Sequence, residues 1–359
     1  MKIGIILHPY EEGKMGGLSR YIFELTKAIL EIDKNNEYIL YTKRRPRLPL
    51  SFSGKNWQQA TLGFGKFWRE LGFLFAPKAD VYIFATSMLP LFHKLKKTIV
   101  VAHDFPYQYF KADNFKQRII NFFLNYLHKY SLNKADKVVA ISKYTKEEIK
   151  KLFGVNDNKI IIIYNGFKNV CESKPADMNI TKPYFLSGGS IKLRKNTLGT
   201  VKAFNELKKK YNHPHKLIIF GKTGNNYYQE VLNFVKKEGM EKEIIFFGHA
   251  NDSQLSYLYQ NAEALVFPSL IESFGFLVLE AAACGTPVIT SKTGGVSEVV
   301  EDAAITIDPY NYNEITEAMN QIISDKKLKQ ELIEKGLKRS KDFSWIKTGQ
   351  KFIELINSI

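Results

Sequence analysis

The sequence predicts an α/β protein of two doubly wound, parallel-sheet domains facing a cleft. Three observations predict it. Short Ile- and Val-rich runs, apolar on both faces, alternate with helix-like segments from end to end, as parallel strands covered by helices do. The alternation stops midway and restarts. The break, "NGFKNVCESKPADMNITKP" at residues 165–183, is polar, holds two prolines and shows no period, which marks a linker.

In the first series, strands are expected at "KIGIILH" (2–8), "EYILYT" (37–42), "DVYIFA" (80–85), "TIVVAH" (98–103), "KVVAIS" (137–142) and "KIIIIY" (159–164). Helices are expected at 17–31, 115–131 and 143–152. The second series offers strands "YFLSGG" (184–189), "KLIIFG" (216–221), "EIIFFG" (243–248), "EALVFP" (263–268) and "TPVITS" (286–291), with helices at 196–210, 226–238, 253–261 and 275–284. A long helical stretch follows, and then a last helix, "SWIKTGQKFIELINSI" (344–359). Ligands of such folds bind at the carboxyl ends of strands, so the strand-to-helix loops are where chemistry is sought.

The chain of 359 residues suffices for two ordinary domains, and 45% hydrophobic against 25% charged residues is the balance of a globular protein with a core. No run approaches the ~18 apolar residues of a membrane span. The N-terminal "MKIGIILHPYEEG" reads as a first strand, too short for a signal sequence and without a small-residue cleavage site. Two cysteines, Cys171 and Cys284, cannot build a disulfide framework or a multi-cysteine metal site, and Cys284 is expected in the core. These features point to the cytoplasm. Net charge is +16, and residues 1–180 hold 29 Lys+Arg against 16 Asp+Glu, so the excess belongs to the first half. A one-sided positive field attracts polyanions or an anionic membrane surface, or serves solubility alone. Within that half, "FGKFWRELGFLFAP" (64–77) fits an interfacial segment and a core helix equally.

Gly16 and Gly17 lie between the first strand and a helix, where a backbone approaches an anion closely. Alone, the pair does not separate a ligand loop from an ordinary one. His103, with Asp104, ends an apolar strand and suits a sugar hydrogen bond, proton transfer or a structural place. In "SGGSIKLRKNTLGTVKAF" (187–204), Arg194 and Lys195 stand just before a helix, and two cations at a helix N-terminus neutralise a diphosphate. A solvated turn is the plain alternative. There is no D-x-D, no metal-ligand spacing, no G-x-S-x-G and no P-loop.

"ESFGFLVLE" (272–280) brackets an apolar run with two carboxylates. Glu272 falls in the loop or at the cap of the following helix, where the helix dipole favours a negative charge. Glu280 falls inside the helix among apolar neighbours, and a buried carboxylate is costly unless it is hydrogen-bonded. It needs donors: ribose hydroxyls, or a backbone or Lys partner in a structural role.

These residues carry a resemblance. The chain resembles the GT-B fold glycosyltransferases of retaining family 4 (group 1), most strongly over "FPSLIESFGFLVLEAAACGTPVITSKTGGVSEVVEDAAITIDP" (267–309) with its E-x7-E pair. "GGLSRY", "HDFP", "ADKVVAISKYTKEEI" and "RKN" stand in the family's order and spacing, so the likeness spans almost the whole chain.

The resemblance implies two Rossmann-like domains: residues 1–167 on the acceptor side, joined by the terminal helix 344–359, and residues 168–343 binding the nucleotide sugar. It implies metal-independent transfer of a hexose, with retention, from GDP-mannose or a UDP-hexose to a glycan or lipid-diphosphate-linked acceptor. The setting would be cell-surface polysaccharide synthesis at the inner face of the membrane. By analogy, Glu280 would bind the ribose and Glu272 the hexose. The N–H groups of Gly275, Phe276 and Leu277 would reach the sugar and the distal phosphate. Arg194 and Lys195 would neutralise the leaving diphosphate, Gly16 and Gly17 would approach phosphate and acceptor, and His103 would contact the sugar. Many members read Gly-Arg where this chain has Gly189-Ser190, with Lys five residues later; Ser190 then lies at the donor and Arg194 takes over the cation's place. A non-catalytic sugar-nucleotide-binding protein, and a nucleic-acid-binding protein using the basic half, are the competing readings.

Overall fold

The computed structural model describes residues 1–10, 17–46, 50–112, 114–224 and 226–359. The chain divides into two compact units: residues 1–166 with 343–359, and residues 167–342.

The first unit is built on β1 (Lys2–Ile6), α1 (Gly17–Ile32), β2 (Glu37–Thr42), β3 (Trp57–Thr61), α2 (Trp68–Phe75), β4 (Val81–Phe84), β5 (Thr98–Ala102), α3 (Phe115–Lys134), β6 (Lys137–Ala140), α4 (Lys143–Phe153) and β7 (Ile160–Ile162). The strands form one sheet in the order β3-β2-β1-β4-β5-β6-β7, each pair parallel. Central strands such as β4 and β5 are buried at every residue, which is why their sequences are continuously apolar. β3 was not expected. Its sequence, "WQQAT", is polar because it forms the half-exposed edge of the sheet.

The segment at 64–77 holds α2, which packs into the core by one face only. Trp68, Gly72 and Phe73 enter the core, while Phe67, Leu71, Leu74 and Phe75 remain exposed.

The second unit comprises β8 (Tyr184–Gly188), α5 (Thr197–Tyr211), β9 (Lys216–Phe220), α6 (Asn226–Lys237), β10 (Ile244–Gly248), α7 (Asp252–Gln260), β11 (Leu265–Phe267), α8 (Phe276–Ala283), β12 (Val288–Ser291), α9 (Gly295–Val300), β13 (Ile305–Ile307), α10 (Tyr312–Ser324) and α11 (Lys326–Ser340). Its sheet runs β10-β9-β8-β11-β12-β13, again parallel. The final helix, α12 (Trp345–Asn357), belongs to the first unit. Gly349 lets it lie against α1: a Cβ there would stand 3.2 Å from that of Ala28. Thr348 Oγ1 ties it to the Tyr164 carbonyl at 2.8 Å.

Each sheet has one point where the strand order reverses. In the first unit it lies between β1 and β4, and in the second between β8 and β11. Loops leaving the carboxyl ends of those strands diverge and leave room for a ligand.

The cysteine reading is corrected. Cys171 and Cys284 form a disulfide with Cα atoms 5.5 Å apart, and Cys284 is half-buried rather than part of the core. The bridge joins the linker's single 3₁₀ turn, Val170–Glu172, to the C-terminal end of α8. The pair was hidden because 113 residues separate its members. Cysteine usage therefore no longer argues for a reducing compartment. Among the described residues, no helix is long and apolar enough to cross a membrane.

Candidate functional site

The β8/β11 switch point gathers the loop residues singled out in the second unit. The strand β8 ends at Gly188, and Gly189 turns the chain with φ +98°, a conformation open to glycine but strained for other residues. A Cβ on Gly189 would stand 3.3 Å from Leu277 Cδ1 and 3.8 Å from Lys195 Cε, so the turn passes close to both. Ser190 follows, exposed.

Arg194 and Lys195 close a single 3₁₀ turn, Leu193–Lys195, immediately before α5. The turn is fixed from both sides. Asn196, with φ +54°, donates from Nδ2 to the Pro309 carbonyl at 2.6 Å. The Arg194 carbonyl accepts from Ser269 Oγ at 2.9 Å and from the Leu270 N–H at 2.8 Å. The loop after β8 is thereby stitched to the loop after β11. Ser269 is held in turn by Ser291 Oγ, which donates to its carbonyl at 2.6 Å.

Lys195 Nζ donates to Glu272 Oε2, forming an ion pair whose side chains are only 12% and 14% exposed. The same ammonium lies 4.6 Å from the centroid of the Phe267 ring, a cation–π contact at the end of β11. Glu272 is not at the helix cap but in the loop, with its backbone carbonyl accepting from the Gly295 N–H at 2.7 Å. The cap is Gly275, with φ +101°. A Cβ there would come within 2.9 Å of Val296 Cγ2, so glycine is required on both conformational and packing grounds. Phe276 and Leu277 form the half-buried first turn of α8, where backbone N–H groups lack intrahelical acceptors and point outward along the helix axis.

Glu280 is 5% exposed, inside a helix whose residues 278–282 are all buried. The donor that its burial demands includes one the sequence reading did not name: Tyr259 Oη on α7, 3.2 Å from Glu280 Oε2. Tyr259 is itself fully buried, with its backbone carbonyl accepting from Thr286 Oγ1 at 2.7 Å.

In the first unit, Gly16 lies outside the described residues, and Gly17 is the exposed first residue of α1. His103 follows β5, and its Nε2–H donates to the Ala85 carbonyl at 3.0 Å, which leaves the lone pair on Nδ1. Burial pushes its pKa down, against the nearby Asp104 charge, so it stays neutral. The ring of Tyr21 on α1 packs edge-on against it, centroids 4.6 Å apart. The start of α1 and His103 thus flank the unit's own β1/β4 switch.

Tyr259, Phe267, Ser269 and Gly295 were missed. Phe267, Ser269 and Gly295 sit in the 267–309 block but carry no chemistry alone, while Tyr259 lies on an unremarkable helix. Among the described residues, no three His, Cys, Asp or Glu side chains gather as a metal ligand set.

Two family models match the chain in succession: glycosyltransferase family 4 over residues 15–168, and glycosyl transferases group 1 over residues 172–339. O-antigen chain mannosyltransferase B of Escherichia coli is 29% identical over 74% of this chain and 71% of its own length. O-antigen chain mannosyltransferase RfbU of Salmonella typhimurium is 30% identical over 60% of this chain, and the match spans 58% of that protein. Among solved structures, the sucrose-phosphate synthase of Thermosynechococcus elongatus shares the fold at TM-score 0.78 and 18% identity, covering 100% of this chain and 98% of that one. With parallel-sheet units of GT-B type and both halves matched in order, the chain belongs to the family 4, group 1 glycosyltransferases.

Proposed function

We propose that the protein is a retaining hexosyltransferase that moves a hexose, mannose in the first instance, from a nucleoside-diphosphate donor. The acceptor is a glycan or lipid-linked sugar in cell-surface polysaccharide synthesis, met at the cytoplasmic face of the membrane. The half-buried Lys195–Glu272 pair at the β8/β11 switch carries this reading. It sets a cation and a hydrogen-bond acceptor side by side at the N-terminal end of α8, which suits a diphosphate joined to a polyol. The mannose assignment is supported by the likeness to the two O-antigen mannosyltransferases.

In this mechanism, Arg194, Lys195 and the N–H groups at Phe276 and Leu277 receive the diphosphate, with the Gly189-Ser190 turn close beside it. Glu272 accepts from hexose hydroxyls and Glu280 from the ribose. His103, neutral with its lone pair on Nδ1, accepts from a sugar hydroxyl, while the backbone at Gly17 approaches phosphate and acceptor. The bond from C1 to the diphosphate oxygen breaks, the acceptor oxygen bonds C1 on the same face, and the acceptor's proton passes to the departing diphosphate oxygen. Negative charge grows on the departing diphosphate, where the two cations and the helix dipole stabilise it most. The chain's own cations meet that charge, and no metal takes part.

The test is calorimetric titration of GDP-mannose and UDP-glucose, followed by nuclear magnetic resonance of the anomeric configuration of the transferred sugar. An inverted product, or no donor binding, refutes the proposal.

A further inference from the structure

Helix α3 carries a surface that nothing in the donor site uses. Its C-terminal part packs: His128 Nδ1 meets Tyr107 Oη at 2.8 Å, and Ser131 Oγ accepts from the Leu89 N–H at 2.9 Å. The opposite face is bare. At about 100° per residue, Phe115, Ile119, Phe122, Phe123 and Tyr126 fall within an arc of roughly 100°. All five are exposed, Phe115 at 75% and Phe122 at 71%. A soluble protein's helix normally turns its apolar stripe inward, so an outward stripe of this size marks a docking surface.

The charges say what docks there. On the same projection, Arg118 and Lys129 edge the stripe on one side and Lys116 on the other. The whole helix, "FKQRIINFFLNYLHKYSLNK", contains no Asp or Glu. At its C-terminal end lies a cavity of about 320 Å³ lined by Lys94, Lys96, Lys134 and Lys159, with Asp136 as the only carboxylate among the described residues of its wall. Tyr130 Oη reaches the Leu91 carbonyl at 3.1 Å, and the Glu70 carboxylate of α2 holds the N–H groups of Leu91 and Phe92 at 3.0 and 3.1 Å. Leu91 therefore links α2 to the C-terminal part of α3.

We propose that α3 docks the protein on an anionic lipid surface, the aromatic stripe entering the headgroup region and the flanking cations meeting lipid phosphates. An aromatic face edged by lysine and arginine is the composition of an interfacial helix, and cations at its margins reach headgroups while their stems stay in contact with the apolar zone. A second copy of the chain is a poor occupant, because pairing two such helices sets cationic edges against each other with no carboxylate on either helix. The inference shares only the membrane setting with the proposed function; it does not depend on sugar transfer.

The experiment is sedimentation of the full chain with vesicles of phosphatidylcholine alone and of equal parts phosphatidylcholine and phosphatidylglycerol. The protein should pellet with the second and not the first, and less so as salt rises from about 0.1 to about 0.5 M. The double variant Phe122→Ser, Phe123→Ser should lose at least tenfold in partitioning, and Lys116→Glu with Arg118→Glu a comparable amount. Both should keep the wild-type melting midpoint and donor affinity, since these side chains support no packing. No pelleting, equal binding to both vesicles or unchanged binding by the variants overturns the proposal. So does a concentration-dependent dimer that the Phe122, Phe123 variant abolishes, which would assign the stripe to self-association. Because sedimentation needs neither donor nor turnover, its failure leaves the transferase reading standing.

Discussion

Lys195→Met deletes a charge while keeping the length and apolar stem of the side chain. The stem can still cover the Phe267 ring, where the ammonium sat 4.6 Å from the centroid. Glu272 is then left 14% exposed without its cation. Two unit charges about 4 Å apart attract by about 4 kcal/mol at an effective dielectric near 20, and desolvation of both ions offsets much of that. A double-mutant cycle with Glu272→Gln should give a coupling of about 1–3 kcal/mol in unfolding.

Binding should behave differently from stability. Lys195→Met should weaken GDP or UDP about 10- to 100-fold, or about 1.4–2.8 kcal/mol, because a phosphate loses its cation. Glu272→Gln should leave nucleoside-diphosphate affinity unchanged or improve it, since Lys195 is released, and yet lower the transfer rate. Calorimetric titration and a product-release assay separate the two. If Lys195→Met loses stability but binds nucleoside diphosphate like the wild type, the pair is a structural strut and the site assignment fails.

Tyr259→Phe removes one donor from buried Glu280 and should cost about 1.5–3 kcal/mol of stability, with a raised KM for donor and a smaller change in kcat; an unchanged melting curve would show that the bond is not made. Reducing the Cys171–Cys284 bridge, or replacing both cysteines by serine, should destabilise the second unit by about 2–4 kcal/mol, and thiol titration of the unfolded, unreduced chain should find none; two reactive thiols would refute the pairing. His128 is held neutral, its pKa lowered from 6.5 to about 4 by burial and then by the Arg69 charge. Its contribution to stability is complete above about pH 6.5 and is lost as pH falls towards about 4, by at most about 3 kcal/mol; His128→Gln should flatten urea midpoints across that window, and an unaltered slope would refute the assignment.

Much of the architecture was legible because burial on both faces leaves an unbroken apolar run. The expected strands of both units appear, each trimmed by up to three residues at its ends. The omissions have reasons. β3 is an edge strand with exposed glutamines, and β13 is three residues long, so neither presents a period. The loops of the second unit were found because doubly wound sheets place ligands at strand ends, and Gly188, Gly189, Arg194 and Lys195 stand at one such end. Glu280 was singled out because a charge amid "FLVLEAAA" demands donors, whatever supplies them.

The sequence by itself determined the α/β class, the two successive series of strands, the basic first half and the two carboxylates in apolar company. These are local properties: hydrophobic period, composition and the cost of burying a charge. Tertiary structure alone decided the partners. Lys195 meets Glu272 across 77 positions, Tyr259 meets Glu280 across 21, and Cys171 meets Cys284 across 113. It alone decided, too, that the aromatic face of α3 turns outward. A side chain's period says that it has a buried face; only the packing of elements distant in the chain says which face that is and what it touches.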